Sequence, residues 1–175
     1  MRTGVFLFGA VEMDDVGAGP PVPTDRRYTQ KQMWHASTRL LDMGVEPFLL
    51  SSVLTGLMAQ RLVRRLCQVC RVPYAPGAEL AGHSSEVGMA LPRQLFHPAG
   101  CEACGHGGYS GRIAVFEFLP VDNDIARLIL GRADTREIAA AGLGKGMRTL
   151  ACDGFQKAES GQTSLEEVLR VTSGE

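Results

Sequence analysis

The chain has 175 residues, 45% of them hydrophobic, with 18 Lys plus Arg set against 19 Asp plus Glu. That length and apolar content are enough to bury a core, so the composition excludes a natively disordered tail. A net charge of −1 gives no electrostatic reason for nucleic acid or an anionic membrane as partner. Arg, Lys, Asp, Gly or Pro interrupts every apolar run before it reaches the roughly 20 residues of a membrane span.

Residues 1–35 are expected to be poorly structured. Met1–Ala10 contains a short apolar run, but Gly9 breaks it, and Glu12, Asp14 and Asp15 follow without a small-residue cleavage pattern, which argues against a signal peptide. Gly17, Gly19, Pro20, Pro21 and Pro23 then form a stretch with little to bury. From Ala36 the texture changes. Arg39, Leu40, Leu41 and Met43 end at Gly44, and Pro47 stands where the first turn of a helix accepts it, so two short helices joined by a glycine turn are expected. The second continues through Phe48–Leu54 and stops by Gly56.

Leu54, Met58, Leu62 and Leu66 share a helical stripe, yet the composition of Leu57–Leu66 also suits a strand, and periodicity leaves both open. Ile113–Leu119 is the clearest strand: Ile113, Val115 and Glu117 alternate with Ala114, Phe116 and Phe118. It needs a partner, and Leu57–Arg65 is the long apolar segment nearby. The cysteine-bearing region then becomes an elaborated connection between two strands.

The remainder reads as helical. Asp122 or Asn123 caps a helix through Leu130 that Gly131 ends. Asp134 with Glu137 has capping-box spacing, and Gly142 or Gly144 ends that helix. A run from Met147 to Ser160 stops at Gly161, and Thr163 or Ser164 with Glu166 or Glu167 opens a last helix through Leu169.

The chemistry concentrates in four cysteines. Cys67 and Cys70 form one C-x-x-C and Cys101 and Cys104 a second, and a two-residue gap lets both sulfurs of a pair face one centre. Four thiolates make a closed tetrahedral zinc site with no position open for water, hence a structural and not a catalytic metal. The interval between Cys70 and Cys101 exceeds the roughly 15–20 residues of compact zinc ribbons, although Ala75–Leu95 can loop out as an insert. Disulfides, redox-active pairs and unliganded core thiols are the competing assignments. Without an export signal, disulfides are disfavoured, and neither pair sits in a βαβ pattern. Cys152, inside a helical run, is expected to be a packed thiol.

His106 is expected to occupy the turn after Cys104 and not to replace a sulfur. The glycines 105, 107, 108 and 111 fail the phosphate-binding patterns, and no Gly-Lys-Ser or Gly-Lys-Thr exists in the chain. The basic run Arg61, Arg64, Arg65 and Arg71 lacks interleaved aromatics and is expected to be a solvated or subunit-facing surface, not a nucleic-acid site. No H-E-x-x-H, nucleophile elbow or catalytic acid pair stands out, so no catalytic residue is assigned.

Longer motifs carry a resemblance. Thr-Arg-Leu-Leu-Asp-Met-Gly-Val-Glu-Pro-Phe-Leu-Leu (38–50) is followed by Gln-Arg-Leu-Val-Arg-Arg-Leu-Cys-x-x-Cys (60–70), then the second C-x-x-C with Gly108, Tyr109, Gly111 and Arg112. Phe116-Glu117-Phe118-Leu119, Gly146-Met147-Arg148-Thr149-Leu150, Asp153-Gly154 and Thr163-Ser164-Leu165-Glu166-Glu167-Val168-Leu169 complete the order. Over about residues 36–172 the chain resembles the type II secretion ATPase and the related type IV pilus assembly ATPase. The resemblance implies an α+β fold: the C-terminal remnant of a RecA-like P-loop ATPase domain, with an inserted four-cysteine zinc module and trailing helices. Its segments would be a non-family lead-in (1–35), a residual motor segment (36–66), the zinc module (67–112), and a strand plus C-terminal helices (113–175).

Cys67, Cys70, Cys101 and Cys104 align with the family's structural Zn²⁺ ligands. The resemblance also implies a cytoplasmic hexameric motor at the inner-membrane face, with ATP and Mg²⁺ in the full-length family. Its partners would be the other motor subunits and an inner-membrane platform, with membrane association only through those partners. Walker A, Walker B and the upstream histidine-containing segment are missing here, so the chain by itself is expected to be inactive, a truncated or frameshifted copy. The alternatives are a free-standing zinc-stapled protein-interaction adaptor and a zinc-ribbon nucleic-acid binder. Loss of the motor's sheet is expected to expose Leu40, Phe48 and Leu50 and to favour self-association.

Overall fold

In this computed structural model the described residues are 4–8, 35–77, 80 and 88–172, and they form a mixed α+β fold. In chain order come strand β1 (Gly4–Phe8), helices α1 (His35–Asp42) and α2 (Pro47–Val53), and strands β2 (Gly56–Leu66), β3 (Arg71–Tyr74), β4 (Leu95–Pro98) and β5 (Tyr109–Pro120). Helices α3 (Asn123–Leu130), α4 (Thr135–Gly144), α5 (Leu150–Glu159) and α6 (Leu165–Thr172) follow. One sheet has the order β1-β2-β5, and β3 pairs with β4 as an antiparallel ribbon. Strand β1 departs from the expectation that residues 1–35 are poorly structured: Gly-Val-Phe-Leu-Phe bonds along β2. The lead-in from residue 9 to residue 34 lies outside the described residues.

Burial settles the ambiguity of the segment after Gly56. Leu57, Ala59 and Val63 are buried while Leu62 is exposed, a period of two that a helical stripe through Leu62 would not produce. In β5 the buried set is Val115, Glu117 and Leu119, with Phe116 and Phe118 turned outward. The Cys67 N–H donates to the Gly108 carbonyl (3.0 Å) and the Val121 N–H to the Thr55 carbonyl (3.0 Å), so β2 and β5 run in opposite directions. The expected strand pair is thus formed, with the cysteine region as its connection.

By packing, the described residues divide into two compact units, one drawn from 60–117 and 148–172, the other from 4–8, 35–59 and 118–147. In the second, Leu40, Leu50, Ile125, Ile129 and Ile138 are buried, α2 packs on α3, and α3 on α4. Each such side chain contributes about 1.5–3 kcal/mol on burial. Exposure of Leu40 and Leu50 is therefore corrected: both are covered, and of the three residues named only Phe48, 63% exposed, is open. Asp122 caps α3 through the N–H groups of Asp124 and Ile125, and Asp134 and Glu137 form the expected capping box on α4. Gly142 lies inside α4, which runs on to Gly144, and a Cβ there would come within 2.8 Å of a Leu119 methyl.

In the first unit, Leu95, Phe155, Ala158, Leu165 and Val168 form the core, and α5 and α6 pack on each other and on β4. Helix α5 begins at Leu150 under a Thr149 cap, later than the run from Met147 suggested. Gly154 sits where a Cβ would come within 2.5 Å of Val168 Cγ1, so glycine permits the close helix approach. Asp153 Oδ2 accepts from the Phe116 N–H (2.8 Å) and Lys157 Nζ donates to the Ala114 carbonyl (2.9 Å). Buried Glu117 accepts from the Leu150 N–H (3.3 Å), placing a carboxylate at the positive end of α5.

Candidate metal centre

The ribbon explains how two cysteine pairs so far apart in sequence converge. Strand β3 starts at the residue after Cys70, and its register pairs Arg71 with Pro98 and Tyr74 with Leu95. The ladder carries the chain back to within three residues of Cys101, whatever the length of the excursion beyond Tyr74.

Each pair sits on a tight turn. Around the first, the Arg71 N–H donates to the Cys67 carbonyl (3.1 Å). In the second, Cys101 is extended and a 3₁₀ turn, Glu102–Cys104, places Cys104 back over it. The turn closes with two left-handed residues, Gly105 (φ 60°) and His106 (φ 62°), while the His106 N–H donates to the Cys101 carbonyl at 2.8 Å. Gly108 (φ +72°) has no room for a side chain, since its Cβ would meet the Pro98 Cβ at 2.3 Å. It donates its N–H to Cys104 Sγ (3.2 Å) and accepts from the Cys67 N–H, tying the two turns together.

The four sulfurs of Cys67, Cys70, Cys101 and Cys104 all lie within 4.8 Å of one another. Cys67 Sγ is 3.9 Å from Cys101 Sγ, Cys70 Sγ is 3.8 Å from Cys104 Sγ, and Cys101 Sγ is 3.7 Å from Cys104 Sγ. A disulfide needs about 2.05 Å, so none is present among them. A tetrahedron of sulfurs at about 2.3 Å from a central ion has edges of about 3.8 Å. The donor set fits a metal in both geometry and chemistry: four soft ligands, with N–H groups of Cys101 and Gly108 both 3.2 Å from Cys104 Sγ to support thiolate charge. Those donors, led by Cys101, draw the Cys104 thiol down to about 7 against its burial. Desolvation pushes the Cys70 thiol up to about 12. A bound cation would reverse that cost by replacing the proton.

His106 lies in the turn and is not one of the clustered groups, as its position predicted. Cys152 is half-buried on α5, where burial raises its thiol above the usual range. The arginine run matches the expectation of a solvated surface only in part. Arg64 spans to Glu167 (2.7 Å) with its guanidinium 4.0 Å from the Tyr109 ring centroid, and Arg61 donates to the Val171 carbonyl. Arg71 donates to the Gly161 carbonyl (2.6 Å) and lies 4.9 Å from the Phe96 ring centroid. Three of the four therefore bind the C-terminal segment, while Arg64 and Arg65 remain exposed. The acceptor of Arg64, Glu167, is fully buried and bonded also by Arg170 (2.7 Å and 2.8 Å). Burial opposes its charge, yet the hydrogen bonds from Arg170 and Arg64 hold its carboxyl at about 2. The sequence carried a signal for it, because Glu167 falls on the helical face of Ser164, Val168 and Val171.

The type II/IV secretion system protein family matches residues 30–170 of the chain. The chain belongs to that family. Among relatives, the type II secretion system protein E of Dickeya dadantii is 44% identical over 140 residues, 80% of this chain and 27% of its own length. The type IV pilus assembly ATPase PilB of Thermus thermophilus is 45% identical over 141 residues, 78% of this chain and 16% of that protein. The type II secretion system protein HxcR of Pseudomonas aeruginosa is 46% identical over 140 residues, 78% of this chain and 25% of that protein. The chain thus spans roughly a quarter or less of the length of these secretion-family relatives. No helix among the described residues is long and apolar enough to cross a membrane.

Proposed function

We propose that this chain is the C-terminal part of a secretion or pilus assembly ATPase, the part that carries its structural zinc module. The observation behind the proposal is the cluster of four sulfurs within 4.8 Å of one another, inside a chain that matches the family over residues 30–170. Cys67, Cys70, Cys101 and Cys104 would hold Zn²⁺, which supplies a rigid, redox-silent cross-link between the turn after β2 and the turn before β5. Residues 36–66 would belong to a RecA-like motor segment, residues 67–112 to the zinc module, and residues 113–175 to the strand and helices that follow it.

ATP and Mg²⁺ would bind elsewhere in the whole motor, since the chain contains no Gly-Lys-Ser or Gly-Lys-Thr phosphate loop. By itself this chain would not turn over ATP. The motor would act on the cytoplasmic side, as a hexamer docked on an inner-membrane platform and driving protein secretion or pilus assembly. A free-standing adaptor and a nucleic-acid binder draw no support from the relatives, whose names place them in secretion and pilus assembly.

A graft tests this. Residues 36–172 replace the matching segment of the Dickeya dadantii relative, and secretion is measured in a strain lacking that protein. Restored secretion with about one zinc per chain is expected, and the same graft with Cys101→Ala is expected to lose both. A folded, zinc-loaded graft that leaves secretion at the background of the deletion strain would overturn the assignment.

A further inference from the structure

The two cysteine turns are also where the C-terminal helix is held. From the first turn, Gln68 Nε2 donates to the Gly161 carbonyl (3.5 Å), and Arg71, next to Cys70, donates to the same carbonyl at 2.6 Å and to Ser160 at 3.5 Å. Just before Cys67, the Leu66 N–H donates to the Gln162 carbonyl (2.9 Å) and the Arg64 carbonyl accepts from Thr163 Oγ1 (2.7 Å). From the second turn, Tyr109, next to Gly108, shares a hydrogen bond of 2.8 Å with Ser164 Oγ. That hydroxyl accepts from the Glu167 N–H (3.3 Å) in the first turn of α6, and the Ser164 carbonyl accepts from the Val168 N–H at 3.2 Å.

We propose that metal occupancy of the four-cysteine site controls the docking of α6 and of the turn 160–164 that leads into it. The proposal rests on the assignment of Cys67, Cys70, Cys101 and Cys104 as zinc ligands. The physical reason is that the contacts from the two sides are useful together only if the turns bearing them stay at fixed separation. A four-sulfur ion fixes that separation, whereas protonated thiols hold it only through weak sulfur–sulfur hydrogen bonds. Apolar contacts of Leu165 and Val168 with Phe155, Ala158 and Leu95 remain without the metal, so on metal loss the first turn of α6 opens more often while the rest of the chain stays folded. The metal thus sets the opening equilibrium of the C-terminal helix, a local and not a global unfolding.

The test is hydrogen exchange on the full chain, zinc-loaded and chelator-stripped, after elemental analysis. Stripping is expected to speed exchange of the Gln162, Glu167 and Val168 amides at least about tenfold, while the α3 amides keep their protection. Equal exchange in the two states, with zinc binding established, overturns the coupling and leaves the metal assignment intact. No zinc in reduced wild type overturns the metal assignment and the coupling with it. If stripping exposes the whole chain, Arg71→Met at full zinc occupancy decides. Faster exchange at Gln162 then supports the coupling, and unchanged exchange refutes it.

Discussion

The carboxylate of fully buried Glu167 accepts a hydrogen bond of 2.7 Å from the guanidinium of Arg64, 103 positions earlier in the chain. Its other oxygen accepts from the Arg64 N–H at 3.0 Å and from Arg170 at 2.8 Å, so one acidic side chain joins the end of β2 to α6. Glu167→Gln keeps the shape but removes the charge, and is expected to cost about 1–3 kcal/mol. The two arginines it leaves behind are partly exposed, 48% and 44%, and can rehydrate, which keeps the cost toward the low end.

The same carboxyl predicts an acid limb. It is held at about 2 in the fold, below its ordinary 4.5, so its stabilisation is fully present above pH 4.5 and is lost as pH falls from there toward 2. Chemical denaturation of wild type and Glu167→Gln across that window checks this. The stability difference between them is expected to shrink toward low pH, and parallel profiles would contradict the assignment.

Gly154→Ala is expected to destabilise by about 1–3 kcal/mol, because its new methyl meets Val168 Cγ1 at 2.5 Å and Cγ2 at 3.2 Å. Gly142→Ala is expected to cost less, since its nearest contact, Leu119 Cδ1 at 2.8 Å, is farther off and at the end of a longer side chain. Denaturation midpoints rank the two. Adding Val168→Ala to Gly154→Ala should recover part of the loss, and strict additivity of the two costs would rule out the close contact as the cause.

Gly108→Ala is expected to weaken zinc binding about 10–100-fold without touching a ligand. The substitution forces a side chain into positive φ against Pro98 and moves the N–H that Cys104 Sγ accepts. His106→Ala, in the turn but outside the sulfur cluster, should bind zinc like wild type. Competition against a chromophoric chelator measures both affinities, and a His106→Ala defect as large as that of Gly108→Ala would mean the ligand set is wrong.

Asp134→Ala removes the acceptor of the Arg136 and Glu137 N–H groups (2.7 Å and 2.9 Å) at the start of α4 and is expected to cost about 1 kcal/mol. Zinc stoichiometry should stay unchanged, because α4 lies in the compact unit that does not contain the cysteines.

Local chemistry was legible in the sequence wherever a single residue decides the outcome. The caps Asp122 and Asp134, the turn at Gly44, proline at the start of α2 and the two C-x-x-C turns all follow from rules a few residues wide. The pairing of β2 with β5 was legible because β5 alternates clearly and had one long apolar candidate nearby. What the residues could not announce was long-range: Arg64, Arg71 and Arg61 look like ordinary surface cations until Glu167 and the carbonyls of Gly161 and Val171 arrive from about a hundred residues later. The burial of Leu40 and Leu50 was missed for a similar reason. Their cover does not depend on a large sheet.

Among the described residues β5 is an outer strand of its sheet, and an uncovered outer strand is a template on which other chains can polymerise. Asp153 and Lys157, themselves an ion pair one helical turn apart, occupy the outward N–H of Phe116 and the outward carbonyl of Ala114. Two charged side chains on α5 thus keep those two backbone groups from offering themselves to another strand, beside an exposed phenylalanine. Their value to the cell would lie less in holding one molecule together than in keeping two molecules apart.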